Sequence, residues 1–303
     1  MEVNNFMTRN RTLCNTPVHA TSRSYVNLRS SDKIELLRKG LGKKLLVDVN
    51  LANLVRDLSA TPEGKRELLK AYYDHVSGNL DQVFGVETAH YVALYQAISG
   101  SRYFFEGNIR ILDPSCGTGE LASILLGKVW RDVNDSSING PFITPANPPE
   151  LVLSDLSGRM VVRTKQKIRG LLNRRKEMRR RIHMEQKDLY TYNPQEDGKF
   201  DIVMMSQSLP FLTDQEHALK IVFDILKQGG RFFLIEEDHF VISSGTSISP
   251  YKFIYDIISP PSNRNPPDVI RHMAEQVGFI SRNRVTAQID SDHSFCAHSF
   301  LRP

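Results

Sequence analysis

Residues 111–120 read Ile111-Leu112-Asp113-Pro114-Ser115-Cys116-Gly117-Thr118-Gly119-Glu120. The short apolar run Ile109–Leu112 ends in an acid, a turn with two glycines follows, and a helical pattern starts near Gly119. Strand, glycine turn and helix in that order build the ligand crevice of an open α/β sheet. Gly117 and Gly119 carry no side chain, so the backbone there turns sharply and lets a ligand approach closely. The helix that follows offers unpaired N–H groups and a positive dipole end, suited to a phosphate or a carboxylate. Two phosphate-binding signatures are absent. No Gly-Lys-Ser/Thr follows the turn, and Leu121 and Ala122 stand where a dinucleotide fingerprint places its third glycine.

Working outward, short runs rich in Ile, Val, Leu and Phe alternate with helical stretches from Gly107 onward. The runs are Ile109–Leu112, Leu151–Ser154, Ile182–Gln186, Phe200–Ser206 and Gly230–Ile235. Helices are expected at Gly119–Trp130, Ser157–Leu172, Asp214–Lys227 and Pro267–Val277, the last ended by Gly278. Phe279–Ile289 and His293–Leu301, separated by Asp290-Ser291-Asp292, read as a terminal antiparallel hairpin. The expected fold is α/β, a doubly wound, seven-stranded, mostly parallel sheet with that hairpin at its end.

Residues 32–104 are instead helical in pattern and form an N-terminal cap or lid on the 105–303 domain. Ile34, Leu36, Leu37, Leu41 and Leu45 recur at helix spacing, and Leu51, Leu54, Val55 and Leu58 continue it. Thr61-Pro62-Glu63 is a helix start, with a capping hydroxyl, proline in the first turn and an acid favoured by the dipole. Another helix is expected over Glu87 to Ile98. Segments 131–149 and 243–267 are insertions rich in Ser, Asn and Pro.

Acids recur at strand ends. Asp155 follows the second strand, where a carboxylate accepts both hydroxyls of a ribose. Asp188 follows the third, placed to accept from an adenine amino group. The fourth strand ends in Ser206-Gln207-Ser208-Leu209-Pro210. The carboxyl ends of consecutive parallel strands border one crevice, so these residues converge.

Composition sets the class. Of 303 residues 40% are hydrophobic and 24% charged, which suits a globular domain, and no apolar stretch has the ~18 residues of a membrane span. The net charge of +5 is too mild to imply nucleic acid. Cys14, Cys116 and Cys296 are far apart and odd in number, which argues against a disulfide framework; the histidines show no zinc-site spacing, so no metal is expected. Residues 1–31, with Arg9, Arg11, Arg23 and Arg29, fit an organellar transit peptide or a flexible tail; the tail and a cytoplasmic location are preferred.

The set resembles the class I, Rossmann-like S-adenosylmethionine-dependent methyltransferases of small-molecule type. Ile111–Glu120 looks like their first motif, Leu153-Ser154-Asp155-Leu156-Ser157 the second and Lys187-Asp188-Leu189 the third. Phe200–Ser206 resembles the fourth, and Leu226-Lys227-Gln228-Gly229-Gly230-Arg231-Phe232 the glycine turn into strand five. The resemblance covers about 105–303. It implies S-adenosylmethionine as cofactor, its methionyl end over the glycine turn, its ribose on the second-strand acid and its adenine near the third. Carried to this chain, the cofactor residues are Asp113, Ser115, Cys116, Gly117, Thr118, Gly119, Asp155, Leu156, Asp188, Leu189, Ser206 and Gln207.

For catalysis two residues stand out. His239, in Glu236-Glu237-Asp238-His239 just past strand five, is placed as a base; the alternative is a surface loop histidine. Tyr73, in Tyr72-Tyr73-Asp74-His75, resembles the Tyr-Asp that precedes the core in small-molecule members, where the ring packs near the cofactor; the alternative is that it anchors the cap. The helical cap and the apolar patch Tyr251–Ile258 suggest a roofed pocket for a small organic acceptor. The competing reading is RNA or protein methylation through the basic run Arg159–Arg181, opposed only by Glu177. Met160, Val161, Ile168, Leu171 and Leu172 give that segment one apolar face, which makes its charges a solvated side. An adenine-N6 DNA methyltransferase would need Asn/Asp-Pro-Pro-aromatic after strand four, where Ser206-Gln207-Ser208-Leu209 stands. A cofactor-binding subunit without activity is a further alternative.

Overall fold

The computed structural model describes residues 32–33, 35–36, 49–77, 108–126, 149–173, 176–240, 257–288 and 293–303. Seven strands form one sheet in the order β3-β2-β1-β4-β5-β7-β6. They are β1 (Arg110–Asp113), β2 (Glu150–Asp155), β3 (Ile182–Gln186), β4 (Phe200–Ser206), β5 (Leu226–Phe240), β6 (Ile280–Gln288) and β7 (His293–Leu301). β1 pairs in parallel with β2 and β4, β2 with β3, and β4 with β5, whereas β7 runs antiparallel between β5 and β6. The order reverses at β1, between β2 and β4, so the carboxyl ends of those strands open the crevice.

Alternation along each strand divides the core into two layers. Ile111, Leu153, Met204 and Phe233 face one side, against α3 (Glu120–Ile124) and α4 (Gly158–Leu172). Leu112, Val152, Val203 and Phe232 face the other, against α6 (Gln215–Ile225) and α7 (Pro267–Val277). A third cluster packs the N-terminal helices α1 (Val49–Ser59) and α2 (Pro62–Val76) through Leu54, Val55, Leu68 and Tyr72 onto Met160, Phe211 and Ile258.

Several elements match their sequence signals to the residue. Ser157 and Asp214 are side-chain N-caps of α4 and α6, each accepting from the amide three residues on. Gly278 ends α7 at φ 113°, where a glycine avoids the steric cost of the left-handed region. Thr61 caps α2 by accepting from the Gly64 amide at 3.0 Å. Thr61→Ala is expected to cost about 1 kcal/mol, read as a shift in the urea midpoint; an unchanged midpoint would show that packing alone holds α2.

α3 covers Glu120–Ile124 and the chain stays helical through Leu126; the rest of the stretch expected to reach Trp130 lies outside the described residues. Two expectations are corrected. β5 begins at Leu226, which pairs with Phe200 of β4, and extends to Phe240, because β7 pairs with it from Arg231 to Phe240. The Lys227–Gly230 turn is taken into that strand as an irregularity in its pairing with β4. Within the basic run, α4 stops at Leu172 as expected, with Asn173 as its C-cap, and α5 (Lys176–Arg179) is a separate turn. The helix expected at Glu87–Ile98, most of both insertions, Tyr251–Asp256 and the tail 1–31 lie outside the described residues.

Candidate active site

β1 ends in Asp113, which is 2% exposed. Its Oδ1 accepts from the Ser115 amide at 3.2 Å, so the carboxyl closes its own turn. Burial is the main cause that raises it to about 8, opposed by the Ser115 bond and reinforced by Asp155. An unfolded aspartate ionises near its ordinary value, so between those two pH values the folded chain holds the extra proton. This group's contribution to stability therefore falls as pH rises toward 8. Asp113→Asn keeps an acceptor for Ser115 and removes the titration. Its melting temperature relative to the parent is expected to improve steadily from pH 5 to pH 8, and a difference independent of pH would refute this.

The turn itself is held from below. The Cys116 amide donates to the Ser154 carbonyl at 2.9 Å and the Thr164 hydroxyl to the Gly117 carbonyl at 2.8 Å. Gly117 (φ 52°) and Gly119 (φ 82°) are both left-handed, but for different reasons. A Cβ on Gly117 would meet nothing within 4 Å, whereas one on Gly119 would lie 2.7 Å from Thr164 Cγ2. Gly117 thus borders open space and Gly119 permits close packing of α4.

Asp155, partly accessible at the tip of β2, accepts from the Gly117 amide on Oδ2 at 3.0 Å and from the Ser157 amide on Oδ1 at 2.8 Å. These bonds aim the carboxylate at the turn and leave each oxygen a further lone pair. Burial raises Asp155 to about 6; its two amide bonds pull downward and the nearby Asp74 pushes up. Asp188 caps the 3₁₀ turn Leu189–Thr191 through the Tyr190 amide and receives Arg66 Nη1 from α2 at 3.4 Å. A cavity of about 780 Å³ opens beside this pair, lined by Glu63, Arg66, Tyr190, Asp214 and His217.

At the tip of β4, Gln207 is exposed and held at φ 51°, a conformation uncommon for a residue with a side chain. Its amide donates to Ile235. Glu236, only 4% exposed, was not among the expected site residues; its Oε1 accepts from the amides of Ser208 and Leu209 at 3.1 and 2.9 Å. The sequence signal was the acid that ends the apolar run Phe232–Ile235, whose function shows only once β4 and β5 are adjacent. Glu236→Ala would strip the acceptor from two buried amides at a cost of about 2 kcal/mol. Glu236→Gln should recover most of it, measured by urea unfolding; no recovery would mean the two bonds are not what is lost.

The structure brings Ser115, Gly117, Asp155, Leu156, Asp188, Ser206 and Gln207 to the crevice with accessible surface, while Asp113, Cys116, Thr118, Gly119 and Leu189 lie buried beneath it. Tyr73 meets Phe211 edge-on at 5.7 Å and so joins α2 to the turn after β4. His239 is not past β5 but within it, its backbone paired with Ser294; its side chain lies outside the described residues. Among the described residues no group of three metal-ligating side chains occurs, and no helix is long and apolar enough to cross a membrane.

A model of the ubiE/COQ5 methyltransferase family matches residues 64–260, which include the crevice. The chain belongs to the ubiE/COQ5 methyltransferase family. Like other members of that family it is an S-adenosylmethionine-dependent methyltransferase of Rossmann-like fold. No curated protein sequence matches it. Among solved structures it is similar to the [4+2]-cyclase SpnF (TM-score 0.53, 14% identity, 79% of this chain and 97% of that one). The CurJ carbon methyltransferase is similar too (0.53, 15%, 91% and 71%). So is the Haemonchus contortus phosphoethanolamine N-methyltransferase 2 in complex with S-adenosylhomocysteine (0.52, 14%, 79% and 60%). Likeness at this identity shows the fold alone, and a cyclase stands among the three.

The crevice of this family member fits its cofactor. Open space lies over Gly117, the Asp155 carboxylate borders it, and Ser115 Oγ is a buried atom without a hydrogen-bond partner in the turn. A buried hydroxyl left unpaired is costly, which favours a ligand that supplies the partner.

Proposed function

We propose that this methyltransferase modifies a small organic acceptor in a pocket roofed by the helical cap. The observation that carries the reading is the left-handed, exposed Gln207 at the tip of β4, clamped through Glu236 and faced by a cap anchored on Phe211. When bound, S-adenosylmethionine presents an activated methyl group to a nucleophile. Gly117, Ser115 and Asp155 would hold its methionyl and ribose parts; Leu156, Asp188 and Leu189 would border the adenine. Ser206 and Gln207 would line the side where the acceptor enters.

What the chain contributes beyond binding is alignment and exclusion of water, which in general lowers a barrier by several kcal/mol. Tyr73 would contribute through its ring, by fixing the cap over the turn at Phe211. His239 is the proposed base where the acceptor must lose a proton from oxygen or carbon. The 159–181 run supports RNA less well. Met160, Val161, Thr164, Ile168 and Leu172 are buried, Lys167 pairs with Glu120, and the exposed arginines and lysines include no aromatic partner for bases.

The test is transfer of labelled methyl from S-adenosylmethionine to panels of phenols, 1,3-dicarbonyl compounds, amines and lipid-like quinols, with an RNA arm alongside. Transfer to one of the small-molecule classes, lost in Asp155→Ala, is the expected result. Label in RNA alone, lost when Arg163, Lys165 and Arg169 are neutralised, would replace this reading.

A further inference from the structure

Helix α2 reaches the crevice at two places, at Ser157 beside the strand-tip carboxylate Asp155 and at the strand-tip carboxylate Asp188 itself. Near its C-terminal end, Asp74 Oδ1 accepts from the Ser157 hydroxyl at 2.6 Å. The Ser157 amide in turn donates to Asp155 at 2.8 Å. Arg159, in the first turn of α4, adds a bond to the Asp74 carbonyl at 3.3 Å. Two turns earlier, Arg66 reaches Asp188 at 3.4 Å. Eight residues of α-helix span about 12 Å, so one rigid element is fastened over the tips of the neighbouring strands β2 and β3. Buried Leu68, Ala71, Tyr72 and Val76 keep the helix from rolling away.

We propose that Asp74 and Arg66 are positioning residues for the cofactor's nucleoside, acting through Ser157 on Asp155 and directly on Asp188. The proposal rests on the assignment of Asp155 to the ribose and Asp188 to the adenine. It adds that the cap, not only the sheet, sets the orientation of both acceptors. Asp74 fixes the Ser157 hydroxyl, which also caps α4, and so fixes the amide that aims Asp155. Arg66 holds one oxygen of Asp188 while the Tyr190 amide holds the other, leaving the remaining lone pairs in one defined direction.

The charge of Asp74 has a second consequence. The groups facing Asp155 are Asp74 from α2, Asp113 and Cys116 from the β1 turn, and Arg159 beside Asp74 on α4. Asp74 is among the causes that raise Asp155. Removing its charge while keeping its oxygen lets Asp155 stay ionised to lower pH.

The experiment is calorimetric titration of the full chain with S-adenosylhomocysteine and with adenosine, from pH 5 to 8. The variants are Asp74→Ala, Asp74→Asn and Arg66→Ala, with the exposed Glu67→Ala on the same helix as control. Asp74→Ala should weaken both probes about tenfold and Arg66→Ala about fivefold, by the same factor for adenosine as for the full cofactor product. Glu67→Ala should change neither. Asp74→Asn should bind within about threefold of the parent at pH 8, with the acid-side loss of affinity displaced to lower pH. That displacement is not expected of a residue that merely stabilises the helix, and it remains readable if Asp74→Ala fails to fold. Affinities unchanged in Asp74→Ala and Arg66→Ala, or an undisplaced pH profile in Asp74→Asn, overturn the proposal and leave the site assignment standing. No binding of either probe by the parent chain overturns the site assignment itself.

Discussion

Asp155→Ala is expected to weaken S-adenosylhomocysteine binding by about 100-fold or more. A hydrogen bond to a charged group is worth roughly 1.5–3 kcal/mol, two ribose hydroxyls share this carboxylate in the proposed mode, and 1.4 kcal/mol is tenfold. The substitution also deprives the Gly117 and Ser157 amides of their acceptor, so the turn loosens as well. The parent protein should reveal the same group through pH. Asp155 sits near 6, and only its ionised form accepts from both hydroxyls, so affinity should be steady from pH 7 to 8 and fall below about 6. The decline should approach about tenfold per unit for a single titrating group. Calorimetry across that range decides it; a flat profile, or an Asp155→Ala variant that binds normally, would remove Asp155 from the site.

The two glycines of the turn should fail in different ways. Gly119→Val is expected to destabilise the fold by about 3–4 kcal/mol. The left-handed backbone at φ 82° costs a residue with a side chain about 1–2 kcal/mol. The added Cβ would also press on Thr164 Cγ2 at 2.7 Å and on the Thr164 Cα at 3.1 Å, and overpacking typically costs about 1–3 kcal/mol. Relief is hard because Thr164 is buried in α4 and bonded to the Gly117 carbonyl. Gly117→Ala pays the backbone cost alone, since nothing lies near its Cβ, yet that methyl group would project into the space assigned to the cofactor. Urea unfolding beside S-adenosylhomocysteine titration separates the two. Gly119→Val should lose stability; Gly117→Ala should stay folded and lose affinity. The reverse pattern would exchange their roles.

Much of this was legible because local chemistry and tertiary position agree. Ser157, Asp214 and Gly278 bound their helices where the chain's pattern placed them, since caps depend on the nearest few residues. The runs Ile182–Gln186, Phe200–Ser206 and His293–Leu301 are strands over those very residues. Asp155 and Asp188 could be picked out because, with Asp113, they follow three consecutive strands whose carboxyl ends border one crevice. β5 was misread at both ends, because its start is fixed by the pairing of Leu226 with Phe200 of β4 and its end by β7, a partner more than fifty residues away in the chain that pairs with it up to Phe240. His239 moved from a loop into a strand for that reason. Glu236 went unrecognised because its two amide partners belong to the turn after β4.

By itself, then, the order of residues determined the strand and helix sequence, the glycine turn and the acids at the strand tips, all set by periodicity, caps and backbone sterics over short spans. Only tertiary packing decided what each polar group does. It turned Asp113 inward onto its own turn, left Gly117 facing open space while Gly119 met α4, and carried Asp74 and Arg66 of α2 onto the Ser157 hydroxyl and the Asp188 carboxylate. Those outcomes depend on which distant surfaces come into contact, and hydrogen bonds act only over about 3 Å.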